Sequence, residues 1–147
     1  MRITSLLALV LLSGCVFAAD GVIEVKSANG VKDTINKLES AAKERGLIIF
    51  ARIDHAAGAQ KIGKTLRPTE LIIFGNPQGG TPLMECAQSA GIDLPLKALA
   101  WEDAAGQTWL GYNDPQYLAT RHGAKDCAPV VAGLRKALAG LAAEAIK

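Results

Sequence analysis

The chain has 147 residues, half of them hydrophobic and a fifth charged, with a formal net charge of +2. So even a balance does not draw nucleic acid by charge, and the Lys and Arg residues are scattered rather than striped. Aromatics make up 5% of the chain, leaving no run of rings on which bases could stack, so nucleic acid is excluded as a partner.

Met1-Arg2 followed by the apolar run Ile3–Leu12 reads as an export leader, too short to span a bilayer as a mature helix. Two processing routes compete. Val16-Phe17-Ala18 offers small residues where a type I signal peptidase cuts, making 1–18 a signal peptide and the product periplasmic or secreted. Leu12-Ser13-Gly14-Cys15 matches a bacterial lipobox, making 1–14 the leader and Cys15 a lipidated, membrane-anchored N-terminus. Membrane attachment depends on that second route. The remaining ~130 residues suit one domain able to bury a core.

Gly21–Ser27 reads as a first strand, with Val22, Glu24 and Lys26 alternating with Ile23 and Val25. Asn29 is placed to cap a helix through Arg45, with Val31, Ile35, Leu38 and Ala42 as its apolar stripe and Gly46 just past its end. Leu47–Ile53 is a second, mostly apolar strand closed by Asp54-His55. Ala56–Leu66 is a weak helix with two interior glycines, and Glu70–Phe74 is a third strand.

The stretch Leu66–Glu85, LRPTELIIFGNPQGGTPLME, carries the densest geometric constraints. After the strand come Gly75-Asn76-Pro77 and Gly79-Gly80, glycines able to take positive φ. Thr81-Pro82 then reads as N-cap and first residue of a helix through Ala90. Strand, glycines and helix N-terminus together could cradle an anion at Asn76, Gly79, Gly80 and Thr81. A tight strand-to-helix connection that merely needs glycine explains the same residues, and neither the P-loop nor the dinucleotide fingerprint is matched.

Leu96–Glu102 and Thr108–Tyr112 flank a short polar loop and predict a hairpin. Asp114 caps and Pro115 opens a short helix through His122, stopped by Gly123. A long helix follows over Ala128–Ile146, with Val131, Leu134, Leu138, Leu141 and Ala145 on one face that packs on the sheet or, alternatively, forms a dimer seam. The order β-α-β-(α)-β-α-β-β-α-α gives an α/β fold of the α+β kind, a single compact domain with a mixed sheet and helices on one or both faces.

Cysteine usage adds a constraint. Cys86 and Cys127 remain once Cys15 is assigned to the leader or the lipid. In an oxidising compartment such a pair favours a disulfide, with a thiolate metal site completed by a histidine as the rival reading.

Four runs together resemble a known family: RIDHAAGA (52–59), LRPTELIIFGNPQGGTPLM (66–84), DLPLKALAWED (93–103) and WLGYNDPQYLATRHG (109–123). They occur in the order found in the bacterial domain-of-unknown-function 302 family, DUF302. The resemblance spans 21–123 and implies a compact α/β domain, one that can form homodimers, with 124–147 a C-terminal helix packed on it. It implies no activity and no cofactor, and it makes the paired cysteines a feature of secreted members.

The polar residues that could carry chemistry stand at strand ends and turns. His55 and His122 are the two histidines. Brought together near Asp54, Glu102 or Asp103, they would suit zinc or another transition metal, or general acid–base work, although no local ligand spacing supports this. The structural alternative has Asp54 and Asp114 as caps, Arg121 in an ion pair and His122 at a helix C-terminus. No nucleophile elbow is present. The absence of a catalytic signature favours a binding module over an enzyme. That module would take a small ligand or an anion near Asn76–Thr81 and His55, with Arg121 and His122 as further candidates. The alternatives are a metal-dependent or acid–base enzyme using His55 and His122, and a lipid-anchored envelope protein whose partner is another protein.

Overall fold

The computed structural model describes residues 19–147; both processing sites and Cys15 lie outside the described residues. Five strands, β1 (Val22–Lys26), β2 (Ile48–Asp54), β3 (Thr69–Gly75), β4 (Leu96–Glu102) and β5 (Thr108–Asn113), form one sheet in the order β1-β5-β4-β3-β2. Every neighbouring pair is antiparallel, so the expected mixed sheet is corrected to an antiparallel one. The reason is topological. β1 and β2 run the same way, as a helical crossover requires, but β5, β4 and β3 are inserted between them, so the two parallel strands become opposite edges.

The crossover helix α1 (Val31–Glu44) and the last helix α5 (Ala128–Ala145) cover one sheet face. Ile35, Leu38 and Ala42 of α1 and Leu138 and Leu141 of α5 meet Ile72, Phe74, Ala98, Ala100, Leu110 and Tyr112 in one core cluster. These sheet residues alternate along their strands, as the pleat demands. The expected stripes on α1 and α5 are therefore buried against the sheet. Gly46, at φ +70°, ends α1, with Gly46 N–H donating to Lys43 and Leu47 N–H to Ala42, the paired bonds of a glycine C-terminal stop. Asn29 does not cap α1. Gly30 holds that position, and Asn29 instead donates Nδ2–H to the carbonyls of Ala145 and Lys147 at 3.3 and 3.0 Å.

The opposite sheet face carries Leu71, Ile73, Leu99, Trp101 and Trp109, all half-buried, with no described long helix over them. Trp101 lies flat across Gly111, where an added Cβ would sit 2.8 Å from its ring.

The Asp54 side chain accepts from Ala57 N–H at 2.8 Å and caps α2 (His55–Gln60). This helix is shorter than expected, because the chain turns through Gly63 at φ +69°. The helix after β3 also differs. α3 runs Pro77–Cys86 with Asn76, not Thr81, as its cap. Two Xaa-Pro start signals stand five residues apart, and the first one acts. Gly79 and Gly80 then form part of the first turn rather than a positive-φ loop, and Cys86 is the last residue of α3. A 3₁₀ turn at Gln88–Ile92 and a cis Leu94-Pro95 bond lead into β4. The hairpin and α4 (Pro115–Arg121) form as expected, with the Asp114 carboxylate accepting from Gln116 N–H at 3.0 Å.

Candidate functional site

A cavity of about 780 Å³ opens between α3 and α5 over the Gly75–Leu96 end of the sheet. Its position follows from the chain's local chemistry. Gly75 ends β3, Asn76-Pro77 turns the chain at once into α3, and Pro129 starts α5 beside it. A disulfide between Cys86 and Cys127 joins the far end of α3 to the start of α5. It replaces the thiolate metal site as the reading of these cysteines. The two helices are thus joined beside the cavity they both line.

Phe74 forms part of the cavity wall and is fully buried, while Phe50, at 54% exposed, marks its outer edge. Met84, Leu94, Val130 and Leu134 supply further apolar wall. Gly79, Gly80 and Gly133 also line it, and their missing side chains leave width. Asn76, Gln78 and Thr81 are the polar groups closest to the α3 start, and Arg45 stands at the α1 side. Arg45 is already paired with Glu144, which holds that carboxyl below the usual range.

Of the seven candidates from the sequence, Asn76, Gly79, Gly80 and Thr81 meet at this cavity, whereas His55, Arg121 and His122 do not line it. The α3 turn is poor in donors. Pro77 has no N–H, the Asn76 side chain takes Gly79 N–H at 2.8 Å, and Gly80 N–H donates to the Asn76 carbonyl at 3.1 Å. Gln78 N–H alone is left in that turn without a described partner, which is thin provision for an anion.

His55 is exposed at the first residue of α2. His122 sits at the other end of the sheet, against Asp93 just before β4. The seven residues of β2 separate those ends by about 20 Å, so one ion cannot take both rings, and the shared metal site is corrected on that ground. Among the described residues no cluster of three His, Cys, Asp or Glu suits a metal.

The His122 environment was not legible from spacing. Its Nε2 lies 2.6 Å from Asp93 Oδ2 and its Nδ1 lies 3.0 Å from Ser89 Oγ. Arg121 Nη1 reaches the same Asp93 carboxylate at 3.1 Å, the ion pair expected of it. Asp93 and Ser89 are 29 and 33 residues away in sequence, in a segment read only as connector and helix end. Asp54, Asp103 and Asp114 serve turns and helix starts. Asp103 closes the hairpin, accepting from Ala105 and Gln107 N–H and from Trp109 Nε1–H at 2.8 Å, and the Trp109 bond above all holds its carboxyl below the ordinary value.

Three comparisons place the chain. A crystal structure of an uncharacterized conserved DUF302 protein from Bacillus stearothermophilus superposes with a TM-score of 0.77 at 22% identity, covering 88% of this chain and all of that one, which shows the fold. Proteins named fluoride-specific ion channel FluC 1 in Brucella suis and FluC 2 in Brucella melitensis are each 52% identical over 102 residues. The match takes 69% of this chain and only 40% and 38% of those two proteins, so their name describes much longer molecules. Among the described residues, no helix is long and apolar enough to cross a membrane. The family model for the domain of unknown function DUF302 matches residues 23–141, from β1 through most of α5, and the chain belongs to the DUF302 family.

Proposed function

We propose that this DUF302 domain is a binding module of the bacterial envelope that holds a small, largely apolar molecule between α3 and α5. The observation that carries this is the cavity itself. Its volume of about 780 Å³ falls in the range of small-molecule sites, and its walls are mainly side chains of Phe, Leu, Met, Val and Pro with a few polar groups at one end. The scarcity of free N–H groups at the start of α3 moves the ligand from an anion toward an apolar body with one or two hydrogen-bonding atoms. Asn76, Gln78 and Thr81 are the groups to meet those atoms. An oxidising compartment is supported by the disulfide and by the leader sequence. The same reading includes a homodimer through the uncovered sheet face, where large apolar side chains stand together.

Thermal unfolding with decanol, decanoate and naphthalene as probes tests the binding site. A ligand at a hundredfold its Kd adds about 2.7 kcal/mol to stability and raises Tm by several degrees. Gly133→Phe, which places a ring at the cavity wall, should abolish that rise while the protein stays folded. No shift with any probe, or an equal shift in the variant, would refute the reading.

A further inference from the structure

A second site is built away from the cavity, where the 3₁₀ turn Gln88–Ile92 meets the C-terminus of α4. We propose that Ser89, His122 and Asp93 form a nucleophile, base and orienting carboxylate able to hydrolyse carboxylic esters.

The proton positions follow from the partners. A carboxylate only accepts, so the 2.6 Å contact requires His122 Nε2 to carry the hydrogen it gives to Asp93 Oδ2. In the neutral ring Nδ1 is then a bare lone pair. The atom 3.0 Å from it is the hydroxyl of Ser89, which becomes the donor. This is a nucleophile within reach of a base that is itself held by a third group. The burial gradient suits the roles. The side chains of His122 and Asp93 are 8% and 14% exposed, fixed between the 3₁₀ turn and α4, while Ser89 is exposed to solvent and can be reached by substrate. An exposed hydroxyl gains little stability from such a bond, because water would serve it equally well. What the bond does alter is the oxygen's readiness to lose its proton. Ser89 does not line the apolar cavity, so its substrates are esters with small acyl groups presented at the surface. Arg121, half-exposed, holds Asp93 through Nη1 and adds a positive charge beside the reacting centre.

In the reaction, Ser89 Oγ attacks the ester carbonyl carbon as its proton passes to His122 Nδ1. The tetrahedral adduct collapses, the carbon–alkoxy bond breaks, and the Nδ1 proton leaves with the alcohol. Water then attacks the acyl-serine, giving a proton to Nδ1. That proton returns to Ser89 Oγ as the carboxylic acid departs. Asp93 touches no reacting atom and is the positioning residue.

The test uses the purified chain with two probes. 4-Nitrophenyl acetate reports turnover, and a fluorophosphonate, whose fluoride departs as the serine oxygen bonds to phosphorus and gives up its proton, reports the nucleophile by peptide mass. The expected result is phosphonylation at Ser89 and turnover that falls at least about tenfold in Ser89→Ala. Ser40→Ala, on the exposed face of α1, should match the parent. Asp93→Asn should lower kcat with KM held, a split that general loosening of the fold would not give. A folded parent that is unlabelled at Ser89, or a turnover unchanged in Ser89→Ala, overturns the proposal.

Discussion

Asp103 shows how one side chain sets a turn and makes it sensitive to acid. Its Oδ1 accepts two backbone N–H groups within the hairpin and its Oδ2 accepts from Trp109, on the strand that follows. The Trp109 bond first, and then the Gln107 N–H, hold its pKa below the ordinary 3.8. A carboxyl depressed in the folded state adds stability above its unfolded value, and that stability is lost as pH falls through the folded value. Glu39, lowered by Lys43 and then by Arg52, acts in the same direction. Asp103→Asn should therefore have a lower Tm than the parent near neutral pH. That gap should close as pH falls from about 6 to about 3, followed by thermal melts at each pH with Trp emission as readout. A gap that stays constant would show that the charge is not what the turn uses. The residue's place in a turn was readable from the loop composition between two β-type runs. Its bond to Trp109 was not, because only the register that sets Trp101 against Trp109 brings the ring nitrogen over the loop.

At the scale of elements, the disulfide is the feature with the largest expected energetic effect. It closes a separation of 41 residues, worth about 4 kcal/mol when the cost of ordering the unfolded chain is counted. Cys86→Ser with Cys127→Ser should lower stability to urea by an amount of that order, measured as the change in midpoint at constant slope. All five strands were legible, since each is an apolar or alternating run bounded by glycine, proline or a charged turn. The helices with a full stripe, α1 and α5, were legible for the same reason. The start of α3 was not. Asn76-Pro77 and Thr81-Pro82 are equivalent start signals on paper, and nothing local ranks them. The Asn76 carboxamide reaching Gly79 N–H decides in favour of the first, and Pro82 then falls inside the helix, where it forgoes one N–H bond. That choice removed the loop on which an anion cradle depended.

For the molecule as a whole, one sheet face is a packed core and the other is apolar without a cover among the described residues. Leu71 stands beside Leu99, and Leu99 beside Gly111, so the middle of that face is a continuous apolar strip. Leu99→Glu should convert a dimer to a monomer in sedimentation velocity while leaving the decanol-induced Tm shift intact, since Leu99 does not line the cavity. A parent protein that sediments as a monomer at high micromolar concentration would remove this part of the proposed function. The Ser89–His122–Asp93 group also belongs to this scale. Its three members come from the 3₁₀ turn, the residue after it and the end of α4, and only the complete fold brings them together. A reading by spacing could nominate His122 but not its companions.

The strand order also governs when the molecule can become a molecule. Among the described residues β1 is the first strand to be synthesised, yet its one sheet neighbour there is β5, the last of these strands to be made. The segment behind it waits as well, because the turn into α1 is held by the closing residues, with Ala28 N–H donating to the Ile146 carbonyl at 2.9 Å. A nascent chain therefore holds β1 without its sheet partner until Asn113 has been made, and the turn into α1 stays open until α5 is complete. The two ends of the chain thus close the fold together, and neither edge of that closure forms early.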